Sequence, residues 1–313
     1  MNPNILEIEN LKVHFPIHIG TVHAVEDVTL NLKEGEVMGL VGESGCGKST
    51  LGFSILRLLR PPGMLAGGQI RYHGNEKEIL SLRGKRIAMI FQDPLTSLNP
   101  LFSIGEQFVE TISTHENGVS KRKALERAGD MLRRLGIAPE RLKEYPHQMS
   151  GGMRQRIMIG MALVLNPDLL IADEPTTALD VIVEAQFLDL LNELRAQFNL
   201  TILLISHNLG IVAQMADRIT VMYGGRLAES GVAEAVFEKP LHPYTQGLLA
   251  SIPNIKLDQP KLHTMPGAPP DLVDPPSGCV FHPRCPHVMD RCRQESPRGI
   301  EHDDHLTACW LYE

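Results

Sequence analysis

The sequence predicts an α/β fold with an antiparallel β subdomain, a helical insertion and a small irregular C-terminal segment. Short apolar runs at 37–41 and 169–172 have the length and composition of buried strands, and helical periodicity follows both of them. Alternating apolar and polar residues at 5–15 and 22–32 predict antiparallel strands with one solvent-exposed face. Helical spacing from 105 to 136 then interrupts the α/β pattern, which indicates an insertion.

The remaining elements are predicted from the same patterns. Ser120 is placed to cap the second half of the insertion at its N-terminal end, and Gly136 is placed to end it. Apolar runs predict further strands at 86–91, 201–205 and 219–223. Helical spacing predicts helices at 51–59, 153–165 and 183–198.

Composition narrows the functional classes. The chain has 313 residues, of which 43% are hydrophobic and 21% charged, as in an ordinary folded protein. Its net charge of −7 argues against a general electrostatic hold on nucleic acid, so no nucleic-acid partner is expected. The N-terminus lacks the pattern of a signal peptide, and no apolar run approaches the ~20 residues that span a bilayer. We therefore expect a cytoplasmic protein that meets the membrane only through a partner.

The central motif is a phosphate-binding loop between the strand at 37–41 and the helix that follows it. Two glycines separated by four residues precede Lys and Ser, and this spacing lets backbone N–H groups surround phosphate oxygens at a helix N-terminus. We expect Lys48 to reach the outer phosphates and Ser49 to bind Mg²⁺. The alternative is an ordinary glycine-rich turn. The predicted nucleotide-binding residues of the loop are Gly42, Ser44, Gly45, Cys46, Gly47, Lys48, Ser49 and Thr50.

Polar side chains stand at the ends of three further predicted strands. Asp173 and Glu174 follow the strand at 169–172, and the carboxyl ends of strands are where open α/β sheets bind ligands. We expect Asp173 to hold Mg²⁺, directly or through water, and Glu174 to polarise the water that attacks the γ-phosphate. Gln92 could bind Mg²⁺ or that water, and His207 could also lie near the site. The alternatives are a solvated turn at Asp173 and Glu174, a solvated polar side chain at Gln92 and a structural role for His207.

Two weaker signals complete the predicted site. Ser150, Gly151 and Gly152 open a predicted helix whose free N–H groups suit a phosphate, although Ser is also a common N-cap without a ligand. Phe15 could stack on a base, but an ordinary core Phe is the simpler interpretation.

Six motifs in this order closely resemble the ATPase subunit of an ABC transporter, and the resemblance covers roughly residues 5–235. The motifs are Gly42 to Thr50, Gln92, Ser150 to Met153, Leu169 to Glu174, Ala178-Leu179-Asp180 and His207. The fold that the resemblance implies is an ABC-type P-loop ATPase domain with an antiparallel β subdomain and a helical subdomain at about 100–165.

The resemblance implies a role for each site residue. Phe15 would stack on adenine, and Lys48 and Ser49 would hold the phosphates and Mg²⁺. Glu174 would be the general base, and His207 would clamp the γ-phosphate.

The resemblance also implies contacts with other subunits. Gln92 would sense both the γ-phosphate and a transmembrane partner, and Asp180 would lie at a subunit interface. Ser150 to Gly152 would cap ATP bound by a facing subunit. The motif departs from its commonest form at Met153, where Gln is usual, but this variant is familiar among peptide importers.

The C-terminal segment resembles that of dipeptide and oligopeptide importer ATPases. The resemblance rests on residues 241–245, a Pro-rich stretch at 260–276 and the cysteine pattern after it. Gaps of five, six and sixteen residues separate the four cysteines, unlike the spacing of most structural zinc sites. The family associates this pattern with a 4Fe-4S iron–sulfur cluster, so we favour a cluster over zinc and over unliganded thiols. Its predicted ligands are Cys279, Cys285, Cys292 and Cys309.

The expected protein is therefore an ATPase domain at 1–235 and a small metal-stapled C-terminal domain at 236–313. The resemblance implies a related second ATPase subunit in a heterodimer, two transmembrane permease subunits and an extracytoplasmic peptide-binding protein. The chain would lie on the cytoplasmic face of the cell membrane, with the surface around Gln92, residues 94–100 and the helical insertion toward the permease. A nickel importer, a non-transport ABC ATPase and a regulatory subunit without useful turnover are the alternatives.

Overall fold

The structure is a computed structural model that describes residues 3–76, 79–92, 98–177, 180–251 and 265–313. It divides into two compact units, one formed by 1–77 with 204–313 and the other by 78–203. Parts of three predictions lie outside the described residues: 94–97 of the surface toward the permease, Ala178 and Leu179 of the subunit-interface motif, and 260–264 of the Pro-rich stretch.

The first unit begins with an antiparallel sheet that confirms the alternating pattern of the sequence. In chain order its N-terminal half contains β1 (Asn4–Ile17), β2 (Gly20–Lys33), β3 (Val37–Val41), α1 (Lys48–Ile55) and β4 (Met64–Tyr72). The strands of this sheet have the order β2-β1-β4. Alternate residues of β1 are buried at Leu6 and Ile8 and again at Leu11 and Val13, and a register shift between Ile8 and Leu11 separates the two runs. The third strand, β4, was not predicted, because Gly67 and Gly68 resemble a chain break.

The C-terminal half of the first unit continues a second sheet. Its elements are α7 (Leu209–Met215), β8 (Arg218–Tyr223), β9 (Arg226–Val232), α8 (Ala233–Glu238), α9 (Pro243–Ala250), α10 (Asp290–Gln294), β10 (Ile300–His302) and β11 (His305–Thr307). Within this unit the strands have the order β10-β11-β9-β8-β3, and β3 and β8 are parallel. The C-terminal segment is less irregular than predicted, because β11 pairs with β9 through Thr307 and Glu229.

The second unit contains the helical insertion. Its elements are α2 (Ile79–Leu82), β5 (Ile87–Ile90), α3 (Ile104–His115), α4 (Lys121–Arg134), α5 (Gly151–Leu163), β6 (Leu169–Asp173) and α6 (Val181–Phe198). β5 and β6 form a parallel pair. The predicted cap and stop of α4 are confirmed: Ser120 Oγ accepts a hydrogen bond from the Lys123 N–H, and Gly136 follows the helix with φ 70°. β7 (Thr201–Ser206) crosses the division between the units.

Two predicted helices were too long. The helix after the phosphate loop ends at Ile55, and Arg57 adopts a left-handed φ of 54°, so Leu58 and Leu59 lie beyond it despite their helical spacing. α5 ends at Leu163 instead of at residue 165. Among the described helices, none combines the length and the apolar character that a bilayer span requires.

Candidate active site

The backbone of the phosphate loop requires its glycines. The fully buried β3 leads into Gly42, and Gly45 and Gly47 adopt positive φ angles of 80° and 101°. A Cβ atom on Gly42 would lie 2.2 Å from the Met222 carbonyl oxygen, and one on Gly47 would lie 2.1 Å from that of Ala24. Neither position could hold a side chain without moving the main chain, whereas a Cβ on Gly45 would meet nothing within 4 Å.

Lys48 and the start of α1 fit a phosphate group. The Lys48 side chain is buried, and its Nζ donates hydrogen bonds to the Gly42 and Glu43 carbonyl oxygens at 2.8 and 3.1 Å. Gly47 at the N-terminal end of α1 makes no side-chain cap, and the N–H groups of a first helical turn suit an anion. A buried ammonium group and an uncapped helix start together form an anion site, and Ser49 lies in the same turn.

Cys46 contributes shape to this loop. Its thiol is buried and lies 3.9 Å from Lys48 Nζ. Burial raises the pKa of Cys46, and the neighbouring Lys48 opposes that rise only in part. The thiol is therefore protonated at neutral pH, and we assign it no chemical role.

Glu43, which the sequence analysis did not single out, is held through its main chain and its side chain. Its N–H donates to the Tyr244 hydroxyl at 2.9 Å, and its carbonyl oxygen accepts from Lys48. Its carboxylate accepts two hydrogen bonds from Arg284, at 2.8 and 3.0 Å. Residues 241–245 were recognised only as a family feature, and nothing in the sequence pairs Arg284 with residue 43.

The second unit brings Gln92 and Glu174 together at the end of β6. All five residues of this strand are buried, including Asp173, whose exposed fraction is 1%. Glu174 follows with φ 45°, and its Oε2 accepts hydrogen bonds from Gln92 Nε2 at 2.9 Å and from Thr177 Oγ1 at 3.2 Å. The predicted carboxylates therefore stand at the strand end, with the predicted Gln on one of them.

A buried glutamine, also absent from the sequence prediction, supports this turn. Gln155 of α5 donates a hydrogen bond from Nε2 to the Pro175 carbonyl oxygen at 2.7 Å. Its side chain has an exposed fraction of only 3%, which is unusual for Gln. The sequence signal that could have identified Gln155 is its place as a polar residue on the apolar face of α5.

Ser150 and Asp180 line one cavity in the second unit. Ser150 caps α5 by accepting a hydrogen bond from the Met153 N–H at 3.3 Å, and Asp180 caps α6 by accepting one from the Val183 N–H at 2.9 Å. The cavity, about 480 Å³ in volume, is also lined by Gly151 and Gly152. The N-cap role of Ser150 is thus present, and a Cβ on Gly151 would meet nothing within 4 Å.

Phe15 and His207 belong to the first unit. Phe15 is half-buried near the end of β1, and its ring lies against Gly63, where a Cβ would be 2.4 Å from the ring. His207 is exposed just after β7. Packing on Gly63 is compatible with the core interpretation of Phe15, and stacking on a base remains a prediction.

The four C-terminal cysteines are free thiols that line one small cavity together with His282 and His287. Among these four described residues, no three sulfur atoms lie within 4.8 Å of one another. Burial, followed by interaction with the other thiols, raises the pKa of Cys279 to about 11 and also raises the pKa of Cys285 and of Cys309. A metal bound here would have to stabilise the thiolates.

Comparisons with known proteins agree with this geometry. Residues 25–177 match the family model described as ABC transporter, and 228–292 match the one described as the C-terminal region of oligopeptide/dipeptide transporters. The chain is 46% identical to the dipeptide transport ATP-binding protein DppD of Bacillus subtilis, over 99% of this chain and 95% of that protein. It is also 46% identical to the oligopeptide transport ATP-binding protein OppD of Salmonella typhimurium, over 98% and 93%.

Solved structures show the same fold. The structure of the ATP-binding cassette MJ0796 bound to ADP and phosphate has a TM-score of 0.64 and 26% identity, covering 73% of this chain and 98% of that one. The cbiO1 protein of Clostridium perfringens, part of an ABC transporter complex, has a TM-score of 0.64 and 31% identity, covering 76% and 92%.

Proposed function

The chain belongs to the ATP-binding subunits of ABC transporters, and from this premise we propose that it hydrolyses ATP to drive the import of dipeptides or oligopeptides. The phosphate loop carries the proposal, because buried Lys48 at an uncapped helix start is built for a polyphosphate. The match of 228–292 to the peptide-transporter region supports the choice of cargo. A nickel importer remains the second candidate, and a non-transport ATPase or a regulatory subunit would not account for this region and for Glu174.

In the proposed reaction each residue acts on a defined atom. Lys48 would donate to the outer phosphate oxygens, and Ser49 and Asp173 would supply oxygen ligands for Mg²⁺. When bound, Mg²⁺ neutralises charge on the phosphates. Glu174 accepts a proton from a water molecule while the oxygen of that water bonds to the γ-phosphorus. The bond between the γ-phosphorus and the oxygen that bridges it to the β-phosphate breaks, which gives ADP and phosphate.

Two neighbouring residues position this chemistry. Gln92 orients the Glu174 carboxylate through the 2.9 Å hydrogen bond and would respond to the γ-phosphate. His207 would bind the γ-phosphate, and Phe15 would stack on adenine.

A facing subunit completes the site in this proposal. Ser150, Gly151 and Gly152 would donate hydrogen bonds to ATP bound by the partner, and Asp180 would lie at the same interface, because all four line one cavity. The partner is proposed to be a related but different ATPase subunit, and two permease subunits and an extracytoplasmic peptide-binding protein would complete the importer. The chain would then lie peripherally on the cytoplasmic face of the membrane.

An iron–sulfur cluster is the proposed occupant of the four-cysteine cavity. Thiolates on zinc, at 2.3 Å from the metal in a tetrahedron, lie about 3.8 Å apart. The sulfur atoms here lack any group of three within 4.8 Å, so they are spaced more widely than zinc requires. A 4Fe-4S cluster also needs four thiolates, and it tolerates longer loops between its cysteines. We propose that it is a 4Fe-4S cluster with a structural role in a C-terminal domain at 236–313, which follows an ATPase domain at 1–235.

The experiment that tests the function is reconstitution. The isolated chain is expected to have little ATPase activity, because its site lacks the facing Ser150 helix start, and addition of the partner and permease subunits should raise phosphate release. Peptide cargo should copurify with the native complex. Full activity of an isolated monomer would contradict the composite site, and nickel as the cargo would establish the second candidate.

A further inference from the structure

We propose that Arg284 is a positioning residue for ATP binding, acting through Glu43 of the phosphate loop. The inference rests on the proposed function, since it assumes that this loop binds ATP. It adds that the C-terminal segment braces the loop, so that the affinity for ATP depends on that segment.

The ion pair between Arg284 and Glu43 has the geometry of a strong contact. Two guanidinium nitrogens of Arg284 donate to the two carboxylate oxygens at 2.8 and 3.0 Å, and the Arg284 side chain is only 5% exposed. The same guanidinium donates to the Pro266 carbonyl oxygen at 2.9 Å and to the Tyr223 hydroxyl at 3.2 Å. A planar guanidinium held on several sides offers Glu43 one fixed partner.

Glu43 transmits this contact to Lys48. The Glu43 carbonyl oxygen accepts a hydrogen bond from Lys48 Nζ, so a shift of the Glu43 main chain moves an acceptor of the phosphate-binding ammonium group. Tyr244 holds the N–H of the same residue, and its ring is fully buried. The C-terminal segment therefore grips Glu43 at the side chain through Arg284 and at the main chain through Tyr244.

Charge gives Arg284 a second effect on the same site. A carboxylate within a loop that binds a polyphosphate repels the ligand unless a cation neutralises it. Arg284 supplies that cation, and the hydrogen bonds with Glu43 raise the pKa of Arg284 further above its ordinary value. Loss of the Arg284 charge would thus both loosen Glu43 and leave its carboxylate uncompensated.

The position of Arg284 links the loop to the cysteine cavity. Arg284 ends a short 3-10 helix, His282–Arg284, and directly precedes Cys285. The His282 N–H donates to the Cys279 carbonyl oxygen at 2.9 Å, so residues that line the cavity also set this turn. A group that orders the cysteines therefore also orders Arg284, and the loss of that group should weaken ATP binding.

The test compares two arginines that each precede a cysteine. Arg284→Gln should weaken binding of Mg-ATP by the full-length chain about tenfold, whereas Arg291→Gln should change it less than twofold, because Arg291 pairs with Glu295 and Glu313. In the assembled complex Arg284→Gln should raise the KM for ATP while kcat at saturating ATP stays within about twofold. Arg284→Lys keeps the positive charge but not the two-point contact of the guanidinium group, so it should bind Mg-ATP more tightly than Arg284→Gln and less tightly than wild type.

A variant in the phosphate loop controls for the possibility that Arg284→Gln simply unfolds the C-terminal segment. Glu43→Asp leaves every C-terminal residue unchanged but shortens the side chain that carries the carboxylate. It should therefore lose the two-point contact with Arg284 and weaken ATP binding several-fold. If wild-type protein binds ATP while Arg284→Gln and Glu43→Asp match Arg291→Gln, the inference is wrong. If the wild-type protein itself fails to bind ATP, the proposed function fails instead.

Discussion

The side-chain amide of Gln92 donates a 2.9 Å hydrogen bond to the carboxylate of Glu174, although the two residues are 82 positions apart in the sequence. Thr177 donates to the same carboxylate oxygen at 3.2 Å. These two donors hold the carboxylate at the end of β6, and Glu174 itself adopts a left-handed backbone conformation. A general base needs a fixed direction toward its water, and this arrangement supplies one.

Removing the Gln92 donor should therefore affect turnover more than binding. In the assembled complex, Gln92→Ala is expected to lower kcat about tenfold and to leave the affinity for ATP within about twofold. Gln214→Ala, at an exposed position on α7, is the matched control and should behave as wild type. An unchanged kcat in Gln92→Ala would show that the hydrogen bond does not orient the base.

Lys48→Ala should abolish measurable ATP binding. The variant removes a buried ammonium group from a site otherwise built of backbone dipoles, and we expect at least a hundredfold loss of affinity in equilibrium binding. Lys123→Ala removes an exposed lysine from α4 and should bind ATP normally. Normal binding by Lys48→Ala would overturn the phosphate-loop assignment.

Acid should destabilise the first unit through His242. Burial lowers the pKa of His242 from 6.5 to about 4, and a hydrogen bond with the Ala308 main chain opposes this only in part. An unfolded His takes up its proton near pH 6.5, so stability is lost as pH falls from 6.5 toward 4, by about 2 kcal/mol between pH 7 and pH 5.

Denaturant unfolding of His242→Asn measures this effect. Asn can keep the acceptor that caps α9 at the Tyr244 N–H, but it does not titrate. The variant should therefore lose about 2 kcal/mol less than wild type between pH 7 and pH 5, whereas the exposed His302→Asn should follow wild type. Glu229 accepts a hydrogen bond from the His242 N–H and is present in all three proteins. Identical pH profiles would refute the assignment to His242.

The proposed 4Fe-4S cluster in the four-cysteine cavity can be tested by the metal content of the protein. Protein purified without oxygen should be brown and should contain iron and sulfide, and Cys292→Ser should lose much of that colour. Cys46→Ser, in the phosphate loop, is the matched cysteine variant and should keep it. Colourless anaerobic protein with one zinc per chain would establish the zinc alternative.

Local patterns predicted most of the fold. Alternation in β1 and β2, the buried runs of β3 and β6, and the cap at Ser120 are signals confined to a few neighbouring residues, and the structure confirms them. The end of α1 was missed because the apolar spacing continues past the left-handed Arg57, and spacing alone does not report φ. β11 was missed because a strand of three residues is too short to show a period.

The candidate site was predictable where a motif is continuous in sequence. Lys48 and the pair Asp173 and Glu174 are identified by their immediate neighbours. The Arg284 contact with Glu43 spans 241 residues, and no local rule selects one arginine among many as its partner. Such contacts depend on how β9 and the C-terminal segment pack in the first unit, which a single sequence does not specify.

The most direct test of the account is ATP turnover by a complex that carries Glu174→Gln. The amide keeps the size and the hydrogen-bonding shape of the side chain, but it accepts no proton from water. We expect the variant complex to bind ATP with wild-type affinity and to release phosphate at least about a hundredfold more slowly. Turnover at the wild-type rate would contradict the assignment of Glu174 as the general base.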